Sequence, residues 1–329
     1  MPATSILARA RHRAPLGAAA LLIAAATLTA GCNGIAYETR EKRLTLDFAP
    51  GSGMEVVTTN GSVRIDPGTD PAISVRATVR ARMGRADLVS VRAAQGATGA
   101  IVLSTEWPDG RRLGGEGCSF AVTTPPLSGV TVRTTNGSVE VSGMGGPADL
   151  GTTNGKVVLK DHAGDARLDT SNGSIHAEGV AGSLVADTTN GALRVSGVAG
   201  PITAKTSNGS MTFALGPGFR GPLEARSSNG SMTLRLAEGT PGTFALSSSN
   251  GSVRVAGTAA QRIELRKRSA TVTIADGPES TLTSSNGSIR IELPDALTEP
   301  PAALPKDRAA RVLPADAPLV GSGVIPPPR

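Results

Sequence analysis

The residues that could do chemistry are few. Outside the first 31 residues the histidines are His162 and His176, fourteen positions apart. That spacing fits no metal-ligand pattern, and both are expected at the surface. Acidic pairs stand out more: Asp161 with Asp165, and Asp169 with Asp187, eighteen apart. Hydrolytic β-helices gather carboxylates on an outer face, so the second pair is the candidate for acid–base work. Its column continues as Gly151 on one side and Lys205 on the other, which reads as charge alternation on a wet face. The Gly-Ser pairs belong to no Gly-x-Ser-x-Gly elbow or phosphate loop. No Gly-Gly-x-Gly-x-Asp loop is present for calcium. Neither catalytic residues nor a cofactor nor a metal is expected, and the chain reads as non-enzymatic.

The elements that would position such groups come from a repeat. Asn136, Asn154, Asn172, Asn190 and Asn208 are spaced by eighteen, Asn229 and Asn250 follow at steps of twenty-one, and Asn286 lies thirty-six further. Asn60 carries an early copy of the same motif. Each Asn precedes Gly and follows two Thr or Ser residues. Asn-Gly tolerates positive φ, so a turn or corner is expected there. Apolar residues alternate after each corner, as in Val139 and Val141, and again before the next, as in Ala148 and Leu150. Down the repeats, Val139, Val157, Ile175, Leu193 and Met211 form one apolar column. Val132, Leu150, Leu168, Ala186 and Ala204 form another, and the intervening columns are mixed.

Two architectures fit: an antiparallel meander, or a β-solenoid with two strands per coil of 18–21 residues. Columnar identity favours the solenoid, because stacked Asn side chains can hydrogen-bond to one another. Right-handed winding is the default for parallel crossovers. Thr134, Thr152, Thr170, Thr188 and Thr206 fall on the inner face by parity, and each hydroxyl is expected to bond to its neighbour in the column. The nine Asn residues are therefore structural: Asn60, Asn136, Asn154, Asn172, Asn190, Asn208, Asn229, Asn250 and Asn286. The outer hydroxyls Thr135, Thr153, Ser171, Thr189 and Ser207 form an array one residue wide that could meet a repeating ligand such as a glycan. Between Asn250 and Asn286 one coil is expected to have lost its Asn-Gly, with Arg266-Lys267-Arg268-Ser269 at its corner.

The rest of the chain divides as follows. Residues 1–31 read as an export signal: Arg9, Arg11 and Arg13 precede an apolar run from Ala14 to Leu28. Leu28-Thr29-Ala30-Gly31-Cys32 resembles a bacterial lipobox, which implies lipid on Cys32 and a membrane partner through that lipid. Asn33 is compatible with the outer membrane if the host is Gram-negative. Residues 32–42 read as a tether, 43–126 as a β-rich cap, 127–293 as the solenoid and 294–329 as a Pro-rich disordered tail. Of the two cysteines, Cys118 would then have no disulfide partner. The formal charge of +6 falls to +3 without the leader arginines, and aromatics are 2% of the chain. Nucleic-acid binding and a sugar groove built on aromatic platforms are both unsupported.

The approach Val122 to Pro125, the strand Val130-Thr131-Val132 and the repeated Asn-Gly motif resemble the bacterial adhesin-like family of β-strand-repeat proteins. That likeness covers about 43–293. It implies a β-helical, envelope-exposed lipoprotein that serves as an adhesin or surface-interaction scaffold, with a glycan or an envelope protein as partner. An enzyme acting on polysaccharide and an envelope-stress or assembly partner are the alternatives.

Overall fold

The computed structural model describes residues 19–30, 36–47, 51–96 and 99–294. Cys32, Asn33, the leader arginines and the tail from residue 295 lie outside them. Two sheets of thirteen strands face each other around one core. Each coil places one strand in each sheet. In the Asn172 coil, Ala166–Thr170 leads to the Asn-Gly corner and Ile175–Val180 follows it. Successive coils pair in parallel and in register, so Leu168 lies between Leu150 and Ala186. The predicted apolar columns are inside: Val139, Val157, Ile175, Leu193 and Met211 are all buried. The fold is a β-solenoid, not a meander.

Sequence order and spatial order differ at both ends. The Asn286 coil (Glu279–Ser284 and Ile289–Glu292) lies between the Asn229 and Asn250 coils. The spacing of thirty-six therefore hides no degenerate coil. Residues 262–275 instead form a hairpin, Arg262–Leu265 with Ser269–Ala275, antiparallel to Gly242–Ser248. The basic run Arg266 to Arg268 is its tip.

The same transposition occurs near the other end. Ile101–Glu106 and Gly117–Thr124 form a coil without Asn-Gly, whose corner is the loop 107–116. It pairs in parallel with the Asn60 coil (Met54–Val57 and Val63–Pro67), which in turn pairs with the Asn136 coil. The Asn60 coil, taken from sequence as part of the cap, is thus stacked inside the solenoid. Beyond the 101–124 coil, Ala72–Arg82, Ala36–Asp47 and Ala19–Ala30 continue one sheet as antiparallel strands, and Ser90–Gln95 continues the other. Ala19–Ala30 belongs to the segment read as an export signal. Among the described residues no helix is long and apolar enough to cross a membrane.

Candidate functional site

The Asn corner is built from three stacked features. The first is an amide ladder. Asn136, Asn154, Asn172, Asn190, Asn208 and Asn229 each donate Nδ2–H to the preceding Oδ1 at 2.6–2.9 Å. Asn286 donates to Asn229, and Asn250 donates to Asn286, each at 2.8 Å. Asn60 closes the ladder on the carbonyl of Glu116 at 2.9 Å.

The second feature corrects the reason given for glycine. None of the glycines that follow these nine Asn residues has positive φ, and neither do the Asn residues. What excludes a side chain is the stacking itself. A Cβ on Gly173 would lie 1.7 Å from the carbonyl oxygen of Gly155, and the same clash recurs at Gly191, Gly209 and Gly230. The third feature corrects the hydroxyl column. The Thr residues are buried, but their hydroxyls do not bond to one another. Thr170 Oγ1 donates to the Gly155 carbonyl at 3.0 Å, and Thr152 donates to that of Gly137 at 2.9 Å. The glycine carbonyl thus faces both the next glycine and the threonine hydroxyl.

Outside this corner a groove runs along the solenoid axis. It encloses about 550 Å³ and is open to solvent. One wall is the column Asp169, Asp187, Lys205 and Arg226; the other is Ser171, Thr189, Ser207 and Ser228, with the buried Thr column as floor. Equivalent groups recur at the strand spacing of about 4.8 Å. The outer Ser and Thr hydroxyls of this wall make no hydrogen bond to protein among the described residues. The surface is therefore a groove two columns wide, not the single-file array expected from sequence.

Charge is graded along the groove. Asp169 and Asp187 are register neighbours, and Arg167 reaches both, at 3.2 and 3.7 Å. Burial pushes the Asp169 carboxyl upward; Arg167 opposes this, and the charge of Asp187 adds to it. Arg133 hydrogen-bonds Asp149 and lies across Gly151, where a Cβ would meet its guanidinium. In register, this arginine lies between Gly151 and Val57, and Val57 lines a smaller cavity at the 101–124 coil. Lys205 stands between Asp187 and Arg226 without an ion pair among the described residues.

The remaining candidates lie elsewhere. His176 is half-buried, 3.6 Å from Glu178. His162, expected at the surface, is 1% exposed in an inner corner column beside Val180. Neither of its ring nitrogens has a hydrogen-bond partner in the described structure. Burial pulls its pKa down; the nearby backbone of Gly146, Asp165 and Met144 and the charge of Asp165 pull the other way without reversing it. Cys118 is buried in an internal strand, and burial pushes its thiol up to about 11, unsuited to nucleophilic work. Cys32 lies outside the described residues.

The family model described as Toastrack DUF4097 matches residues 119–275. A solved Bacteroides fragilis structure described as a "putative adhesin" is 10% identical, with a TM-score of 0.41 over 77% of this chain and 96% of its own. A Clostridium sporogenes structure described as a "putative cell adhesion protein" is 8% identical, with a TM-score of 0.24 over 77% and 99%. No curated protein matches in sequence. The matched segment spans the coils from Asn136 to Asn250, and there the chain is similar to a family whose fold is a β-solenoid.

Proposed function

We propose that this protein is a non-enzymatic scaffold of the bacterial cell envelope, lipid-anchored through Cys32, that binds an extended glycan along the groove. The observation that carries the reading is the pair of stacked outer columns. One of them, Ser171, Thr189, Ser207 and Ser228, offers unpartnered hydroxyls at one coil repeat, a spacing comparable to one sugar of an extended chain. Lys205 and Arg226 add cationic donors for acidic or hydroxyl groups on such a polymer. The lipobox-like segment supports anchoring, with the outer membrane favoured in a Gram-negative host.

The test is a glycan-binding screen of the full chain in detergent beside a Ser207→Ala/Ser228→Ala variant. Binding weakened several-fold by the double substitution supports the groove; equal binding removes it. A Cys32→Ala form should leave the membrane fraction, and its retention there would argue against lipid anchoring.

A polysaccharide hydrolase is the competing reading, since Asp169 and Asp187 both line the groove. The shared contact with Arg167 argues against it, because an acid–base pair must change protonation independently. If an Asp169→Asn/Asp187→Asn form still binds glycan and no variant differs in cleavage, the scaffold reading stands.

A further inference from the structure

The loop 107–116 replaces the Asn-Gly corner in the 101–124 coil. It carries Trp107, the only tryptophan of the chain. Trp107 lines a cavity of about 300 Å³ with Val57, Thr59, Ser104 and Arg112. Val57 occupies the register of Arg133 in the next coil, and Thr59 stands in the outer hydroxyl column. The cavity therefore lies at the head of the same outer columns as the groove, with Arg133 in the coil between them.

Its lining differs from the rest. Val57 is 47% exposed, and with the half-buried indole it makes an apolar patch on an otherwise polar face. Around that patch the hydroxyls of Thr59 and Ser104 make no hydrogen bond to protein among the described residues. Trp107 packs in part against the core. The portion of the indole that remains outside, beside free hydroxyls and a guanidinium, suits a pyranose, which has C–H faces and a hydroxyl rim.

The loop is held rigidly by a buried charge. Glu116 is fully buried. Its carboxylate accepts hydrogen bonds from the Leu113 N–H at 2.7 Å, the Arg82 N–H at 3.2 Å and Arg85 Nε at 3.0 Å. Arg85 also donates to the Arg111 carbonyl, Arg112 to the Glu116 carbonyl, and Tyr37 to the Gly114 carbonyl. Burial alone would raise the Glu116 pKa, but the two N–H donors and Arg85 together hold it below the ordinary value. An exposed connection of ten residues fixed by an internal carboxylate is a pre-organised platform, and pre-organisation lowers the cost of binding.

We propose that Trp107 is the stacking platform of a sugar subsite at the head of the groove, where one pyranose of the bound glycan lies against the indole. The subsite rests on the glycan reading above and adds a place where the polymer is gripped by ring stacking. The experiment uses the full chain in detergent and two probes, hexamers of β-1,4-linked glucose and of β-1,4-linked N-acetylglucosamine. Binding is followed by calorimetry and by the emission of the single tryptophan.

One of the probes should bind and shift the emission saturably, with the same midpoint by both methods. Trp107→Ala should weaken that binding about tenfold, and Trp107→Phe by less than threefold, at unchanged melting temperature. Binding by calorimetry without an emission change, or with Trp107→Ala unaffected, overturns the subsite and leaves the groove standing. Binding of neither hexamer overturns the subsite as stated, while the glycan screen judges the groove separately. If Trp107→Ala lowers the melting temperature, the Phe form and the wild-type emission titration still decide.

Discussion

At the scale of single residues, the corner glycines and His162 make the sharpest cases. A Cβ on Gly173 would lie only 1.7 Å from the Gly155 carbonyl oxygen, although the φ of Gly173 is not positive. Gly173→Ala should therefore cost about 1–3 kcal/mol through forced separation of coils. Gly218 has open space around its missing Cβ and no positive φ. Gly218→Ala should be neutral or stabilise by up to about 1 kcal/mol, since it restricts only the unfolded chain. Denaturant melts of the two variants check the contrast, and equal losses would refute the stacking account. His162 is neutral in the fold because burial lowers its pKa, while the unfolded chain binds a proton near the ordinary value of about 6.5. Its contribution is thus fully present above about pH 6.5 and is lost as pH falls toward the depressed folded value. His162→Val, which repeats the neighbouring Val180, should flatten the fall in stability below about pH 6.5, measured by chemical denaturation. An unchanged slope would show that other groups carry it.

At the scale of the coil, the ends are interlocked. In repeat proteins the terminal units have one neighbour and fray first. Here the coil nearest each end of the repeat array in sequence, Asn60 and Asn286, is held by a neighbour on both sides. At three of the four sheet edges the outermost strands turn back antiparallel, which blunts the parallel stack, while Val253–Ala256 is a parallel edge at the fourth. Hydrogen exchange should show the amides of Ile289–Glu292 as slow as those of Leu193–Ser196, although they lie 93 to 99 residues apart in sequence. Arg262–Leu265, exposed throughout and paired on one side only among the described residues, should exchange fastest of these strands. Fast exchange in Ile289–Glu292 would contradict the interlock.

For the whole molecule, the groove and the regularity of the stack have the same source. Parallel register fixes the outer columns as firmly as the inner ones, so the groove is a consequence of the stack rather than of a mobile loop. The columns depart from uniformity where charge is graded, from Asp169 and Asp187 to Lys205 and Arg226. They depart again at the head, where the sole tryptophan stands. A ligand that spans several coils would gain from many weak, evenly spaced contacts, with Trp107 at one end and the cationic stretch Lys205 and Arg226 setting its position.

The coil was legible in the order of residues. An eighteen-residue beat of Asn-Gly with alternating apolar columns admits few folds, and the amide ladder follows once coils lie in register. Residue identity also exposed the mixed outer faces on which the groove lies. Tertiary structure alone decided which coil touches which. The Asn286 coil could slot between earlier coils because quasi-identical neighbours accept any coil with the right columns, and order in the chain leaves no mark on that choice. It alone showed the 101–124 coil, whose corner is a loop with no Asn-Gly to signal it. It placed His162 inside, where its column is set by the neighbouring coils and not by its own polarity. Glycine's role, too, was invisible in one coil: the atom that excludes a side chain belongs to the coil before it.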